Sequence, residues 1–487
     1  MKNKKGNSIA INIFHLFYST ALSSILNAGA LIMLAYYLQS YHYGLFSVVL
    51  AFAMIMGYFT DAGLSDIVLR EGSAKGVDLP KVITSYVKMR LLLLLLTFAI
   101  GFLLIEILHS SNTELIKTAY FLVFPMVTGI ALQSIGITFF QLKEKMQYCG
   151  LIRIFSAACL VSSVFLGLIV ELSPLVVTLL YGCSYLAAGV LAFVLLSRHV
   201  AFVWKARFHK GLYKHWGAFT LGGLLFVLLP HLGPLVLERT LTLEEVGMFA
   251  VAYRIPQALQ QVTFIVAGAY YPVLFRYFNS GNFLEHLRLL LLQTKLMALI
   301  GMGLSLPFYY LSELIVPILF GDAWLGAILP LKILSVLLML QGVNIALADG
   351  LTTMGRQRHR TAVQFVAVLS GVFLYLFTSL QYGIIGAAFA GIVMELFALI
   401  GFWIVSSNRR TVARKVVLPY LIIYFTTLTF LDMILHHHPV FALILHGFSL
   451  LLFFFLDKEL KATTINPWMK KYYSREVENE AFIGKAK

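Results

Sequence analysis

The chain has 487 residues, of which 60% are hydrophobic and 12% charged, and its formal net charge is +15. A soluble domain carries about 25% charged residues, so an all-round water-facing surface is excluded. With it go a soluble enzyme, a DNA-binding protein and a secreted disulfide scaffold. The apolar residues gather in blocks of about 20 or more, the length that crosses the hydrocarbon core of a bilayer, and the class is an all-α polytopic membrane protein.

Fourteen spans are predicted. The first, over 9–38, follows Lys2, Lys4 and Lys5 and resembles a signal peptide, but its apolar run of about 30 residues is too long for an h-region. It carries a polar stripe of Asn12, His15, Ser19, Ser23 and Asn27 at helical spacing. The second, over 44–66, ends on Asp61 and Asp66, just before Arg70 and Glu71. Spans three to six fall at 88–108, 118–139, 151–170 and 174–197, and a basic connection over 198–215 follows. Spans seven to twelve fall at 216–237, 246–272, 287–311, 325–348, 361–380 and 383–405. The last two cover 416–435 and 439–457. The organisation expected is an N-terminal six-helix bundle (1–205), a C-terminal six-helix bundle (206–406), helices 13 and 14 (407–457) and a cytoplasmic tail (458–487). Two weak matches suggest that the halves are repeats: Tyr43-Gly44-Leu45-Phe46 with Val246-Gly247-Met248-Phe249, and the basic turn Lys143-Glu144-Lys145 with Arg356-Gln357-Arg358. Parallel repeats about an axis along the membrane normal are a transporter design.

With the N-terminus placed inside, inside segments hold 32 of the 37 Lys and Arg, and outside loops hold two, Lys117 and Arg239. This is the positive-inside bias of short loops; it puts both termini in the cytoplasm. The basic excess is therefore topological, with attraction to anionic membrane lipids, and implies no nucleic-acid partner. Cys149, Cys159 and Cys183 are scattered and odd in number, so no disulfide or metal framework follows.

Ionisable groups at membrane depth are costly unless they face a cavity or a partner. Three basic residues remain in spans: Arg254, Lys295 and Lys332. Arg254 shares a helical stripe with Gln257 and Gln261. Lys332 and Asp349 lie toward opposite ends of span ten, with Gln341 and Asn344 between, and Glu395 is central in span twelve. The functional reading makes Arg254, Gln257, Gln261, Lys295, Lys332, Asn344, Asn27 and Ser23 cavity-lining, with Asp61, Asp66, Arg70, Glu71 and Glu395 in gating or ion coupling. The bland reading is buried pairing for Arg254, snorkelling for the lysines and helix packing for the small polar residues. In the functional reading the three cations are unpaired. No G-x-x-x-x-G-K-[ST] loop is present, consecutive His436, His437 and His438 cannot converge on one ion, and no cofactor is implied. The charges suit passage of a hydrophilic, charged group better than chemistry.

Several strings, in order along the chain, resemble the polysaccharide transporter family, the Wzx-type oligosaccharide flippases of the MOP superfamily. They are Tyr43-Gly44-Leu45-Phe46 with Asp61-Ala62-Gly63-Leu64 and Arg70-Glu71; Phe140 to Met146; Glu245 to Phe249; Phe320-Gly321-Asp322-Ala323-Trp324; Met354-Gly355-Arg356; and Tyr382 to Ala388. Leu142 stands where relatives often carry a small residue. The resemblance implies two six-helix bundles forming a V around a central cavity, with two further helices alongside. It also implies transport, not catalysis, in the bacterial cytoplasmic membrane. The cargo would be an undecaprenyl-pyrophosphate-linked oligosaccharide, an O-antigen, capsule or exopolysaccharide repeat unit. Further implied partners are a driving ion, H+ or Na+, and the glycan polymerase machinery. The rival readings are a multidrug or small-cation antiporter of the same superfamily, whose cavity should be rich in acids, and a membrane-embedded glycan polymerase or ligase, which should carry a long outer loop.

Overall fold

The structure is a computed structural model that describes residues 2–73, 76–213 and 216–464. Its helices are α1 (Lys2–Phe59), α2 (Leu64–Gly72), α3 (Leu79–Leu108), α4 (Thr113–Leu142), α5 (Met146–Ile169), α6 (Pro174–Ser197), α7 (Trp216–Leu237), α8 (Leu243–Asn279) and α9 (Phe283–Tyr310). There follow α10 (Ser312–Phe320), α11 (Ile328–Ser335), α12 (Leu337–Thr353), α13 (Gln357–Val405), α14 (Arg409–Val412), α15 (Leu418–Leu435), α16 (Pro439–Leu456) and α17 (Lys458–Thr464). The tail beyond 464 and the side chain of Asn12 lie outside the described residues.

Among the described residues, eleven helical segments are long and apolar enough to cross a membrane. At about 1.5 Å per residue, α1 and α13 would far exceed a hydrocarbon core of about 30 Å if straight, and each is broken. Gln39 (φ 57°) interrupts α1 and Gly383 (φ 59°) interrupts α13. The Gln39 amide donates back to the Tyr36 carbonyl at 2.8 Å, covering one acceptor exposed by the break. Resolving both breaks gives thirteen membrane-length segments among the described residues, and α7 adds a shorter apolar stretch, Val227–Leu237.

The chain compacts into two units. One comprises residues up to Gln261 with Val316–Leu331 and Gln364–Met394; the other comprises Val262–Ile315, Lys332–Val363 and everything from Glu395 onward. Within each, helices meet through glycine, because backbones without an intervening side chain can approach closely enough to pack in lipid. In the first unit a Cβ at Gly129 of α4 would strike the Tyr185 backbone of α6. In the second, Cβ atoms at Gly301 and Gly342 would strike backbone carbonyls of α12 and α9 respectively. Gly44 and Gly247, paired in the sequence, face each other: a Cβ on either would run into the other helix's main chain.

The two basic turns also share one backbone geometry. After α4 the Lys143, Glu144 and Lys145 amides donate to the Phe139, Gln141 and Phe140 carbonyls at 3.0, 3.0 and 2.8 Å. After α12 the Met354, Gly355 and Arg356 amides donate to Gly350, Thr352 and Leu351 at 3.1, 3.0 and 2.8 Å. Each turn passes through a left-handed residue, Glu144 (φ 54°) or Gly355 (φ 72°), as a Schellman-type helix end requires. Leu142, the departure from the family pattern, lies against Gly72, whose missing side chain leaves it room.

The basic connection 198–215 is fastened where it is described. Val200 and Leu212 are buried, Phe202 and Phe208 pack on the same apolar cluster, and the Val203 and His209 amides donate to Thr84 and Ser85 of α3. It is a packed strap on the first unit and not a free linker.

Candidate functional site

Arg254 lies in α8 of the first unit, half-buried. Its Nη1 donates to Gln257 Oε1 at 2.8 Å, and the hydroxyl of buried Tyr43 lies within reach of its charge. Tyr181 and Tyr185 of α6 and His231 of α7 fall within reach of its charge. The ring of Tyr43 is held edge-on by Trp324 at 5.6 Å, and Tyr181 by Phe46 at 4.9 Å. Among the described residues, no carboxylate pairs with Arg254. A cation held by neutral donors and acceptors keeps its net charge for a ligand, and the planar guanidinium suits bidentate contact with phosphate oxygens. Gln261, one turn further on, is half-buried and adds amide capacity on the same stripe.

The lysines behave differently, and the expectation of three unpaired cations is corrected for both. Lys295 of α9 is 5% exposed, and its Nζ lies 2.8 Å from Asp457 Oδ2 and 2.8 Å from Glu459 Oε2. Asp457 Oδ1 meanwhile caps α17 by accepting the Glu459 and Leu460 amides. Burial alone pushes the Asp457 carboxyl up, but the Lys295 ammonium and these amides outweigh it and hold it below the usual carboxylate range. Lys332 of α11 meets Asp432 of α15 at 3.0 Å and lies over the Tyr309 ring at 4.7 Å. Between these ties, Ser305 bonds Tyr424 at 2.7 Å and Tyr310 bonds His446 at 3.0 Å. Both lysines thus fasten the last two spans to the rest of the second unit. Their partners lie 164 and 100 residues away in the chain, which is why spacing could not reveal them.

Glu395, Gln341 and Asn344 come together. The Gln341 amide donates to one carboxylate oxygen at 3.1 Å and the Asn344 amide to the other at 2.7 Å. No cation pairs with Glu395 among the described residues, and the buried oxygens Gln341 Oε1 and Asn344 Oδ1 have no donor. Asp349, at the far end of α12, is held by Gln293 at 2.9 Å.

The acids of the first unit are separated. Asp61 pairs with Arg90 of α3 at 2.7 Å and accepts the Ser65 hydroxyl at 2.7 Å; Tyr86 adds a further bond. Asp66 is exposed in the first turn of α2. Arg70 touches Glu71 at 3.3 Å, and Glu71 reaches His209 of the strap at 3.4 Å. On α1, Ser23 is buried and bonds its own helix at the Thr20 carbonyl. Asn27 is half-buried, and no hydrogen bond holds its amide among the described residues.

Sequence reasoning missed Arg90 and Arg153, because both lie in the first turns of a span and were counted with the inside charge. Arg90 is 1% exposed and Arg153 half-buried. A helix wheel drawn from the start of each span would have flagged Arg153.

Residues 9–278 match the family described as polysaccharide biosynthesis protein. No curated protein matches the chain in sequence. In fold it is similar to the lipid II flippase MurJ in its inward closed conformation, with a TM-score of 0.62 and 15% identity over 90% of this chain and 98% of that one. It is also similar to the inward-facing conformation of a multidrug resistance MATE family transporter of the MOP superfamily, with a TM-score of 0.66 and 15% identity over 81% of this chain and 95% of that one. A MOP superfamily transporter from Pyrococcus furiosus follows, with a TM-score of 0.55 and 15% identity over 84% and 95%. At such identities the likeness establishes the fold alone, whereas the family match spans more than half of the chain. The chain is a multi-pass membrane protein with the MOP-superfamily fold, and it belongs to the polysaccharide biosynthesis protein family.

Proposed function

We propose that this protein flips an undecaprenyl-pyrophosphate-linked oligosaccharide, an O-antigen, capsule or exopolysaccharide repeat unit, across the bacterial cytoplasmic membrane by alternating access, with both termini cytoplasmic. The observation that carries this reading is Arg254: a membrane-depth cation among tyrosine hydroxyls and glutamines, with no acid against it among the described residues. The guanidinium takes pyrophosphate oxygens, and Gln257, Gln261 and Asn27 offer amides to sugar hydroxyls. Lys295 and Lys332, neutralised by their partners, serve the frame instead. Glu395, held by amides and no cation, is the site that loads H+ or Na+. Asp61 with Arg90, Asp66, and the Arg70–Glu71–His209 chain respond to opening at one end of the first unit. The test is leaflet-specific labelling of the lipid-linked glycan in cells that depend on this chain. Arg254→Ala should leave membrane insertion intact and abolish outward delivery; full delivery by that variant removes Arg254 from the site.

The antiporter reading draws on Glu395, an acid that a small organic cation could occupy. It predicts export of cationic dyes that Glu395→Gln abolishes and Arg254→Ala spares, the reverse of the ranking expected for an anionic lipid headgroup.

A further inference from the structure

The half-buried arginine that sequence reasoning missed has no assigned role. Arg153 lies seven residues into α5, roughly 10 Å from its start at Met146. The exposed face of α5 is marked by Leu151, Phe155, Phe165 and Ile169. At about 100° per residue, Arg153 sits some 200° round from Leu151, on the same stripe as buried Cys149, Leu160 and Val164. A snorkelling arginine would leave from the lipid face; this one points into the unit. There its Nη1 donates to the Thr20 hydroxyl of α1 at 2.9 Å. No carboxylate pairs with it among the described residues, and its remaining guanidinium donors have no partner. Gly150, one turn before, lets α1 close in, since a Cβ there would press on Ser19. Thr20 begins a run with Ser24 and Asn27 at i+4 and i+7 along one side of α1, and both are half-buried with no side-chain hydrogen bond among the described residues.

We infer that Arg153, with Thr20 and Ser24 of α1, forms a second phosphate-oxygen site, separate in the sequence and in its neighbours from the Arg254 cluster, at the end of α5 that the loop charges assign to the cytoplasm. This rests on the flippase reading above and adds a step to it: the pyrophosphate is first taken from the cytoplasmic side by Arg153, and its sugars pass along the α1 hydroxyls and amide toward Arg254. Two cations at different depths let the anion leave one before it is fully bound by the other, so neither need hold it too tightly for release.

The test uses the full chain in phosphatidylcholine nanodiscs, with binding of undecaprenyl pyrophosphate and undecaprenyl alcohol read by native mass spectrometry. Loss of charge-assisted bonds should weaken pyrophosphate binding by about tenfold or more in Arg153→Gln. The alcohol should bind as before, and Arg153→Lys should recover part of the loss. Arg153→Gln combined with Arg254→Gln should lose more than either alone. Equal weakening toward the alcohol, or pyrophosphate binding unchanged in Arg153→Gln while Arg254→Gln loses it, overturns the Arg153 site and leaves the flippase reading standing. Displacement of the pyrophosphate by phosphatidylglycerol with equal strength assigns the site to bulk lipid headgroups and overturns it too. A wild-type chain that does not prefer pyrophosphate over alcohol overturns the flippase reading itself.

Discussion

Arg254 and Lys295 carry the same charge at membrane depth and live in opposite surroundings. Lys295 has two carboxylates at 2.8 Å and almost no exposure; Arg254 has tyrosines, a glutamine and a histidine, and no acid among the described residues. A buried cation that is fully compensated contributes geometry, because its field is spent on its partners. One left among neutral dipoles keeps a potential that an anionic ligand can satisfy. Intramembrane charge therefore marks function only when its partners are known.

That contrast can be broken by substitution. The largest effect is expected at Arg254: alanine should lower glycan delivery by about a hundredfold or more through loss of two charge-assisted bonds, with folded yield unchanged, measured by leaflet-specific labelling. At Lys295 the signs reverse. Alanine strands Asp457 and Glu459 without their cation, and breaking a buried pair costs about 3–5 kcal/mol. Thermal unfolding in detergent should show a large drop in Tm, while surviving folded molecules transport normally; a triple variant, Lys295→Met with Asp457→Asn and Glu459→Gln, should recover much of it. A Lys295→Ala protein that is as stable as wild type but inactive would abolish the distinction.

Acid pH sharpens the same comparison. The folded-state pKa of Asp457 is below its unfolded value, so its contribution is present above the ordinary carboxylate pKa and is lost as pH falls through the folded value. Stability of the last two spans should decline below about pH 4, and Asp457→Asn should flatten that limb, read by Tm against pH. The smallest effect is expected at Lys332, whose pair is about one-third exposed on both sides. Lys332→Met should cost about 1 kcal/mol or less, visible as a Tm shift of a few degrees or less with delivery intact.

Much of the architecture was written in hydropathy. The spans and the paired turns follow from block length and charged connections, all local properties; the positive φ of Gln39 and Glu144 does not, since neither residue favours it. Arg254 with Gln257 was legible because i and i+3 share a helix face. The partners of Lys295 and Lys332 were not, since Asp432, Asp457 and Glu459 lie on elements far along the chain and look like ordinary ends of spans. Arg90 and Arg153 were hidden for another reason: the positive-inside rule explains basic residues at that edge of a helix so readily that none stands out. Only the direction of the side chain, toward Asp61 or toward Thr20, separates them from topology.

The ties from Lys295 and Lys332 have a consequence for the history of the chain. If the paired turns record a duplicated six-helix gene, the last two spans arrived as an addition, yet their acids now neutralise ammonium groups in the older part. The pieces are coupled: a version ending at residue 405 would leave both ammonium groups without their carboxylates, at a large cost for buried Lys295 and a small one for Lys332. Substituting both with apolar side chains is the route by which a twelve-span version of this chain could be built.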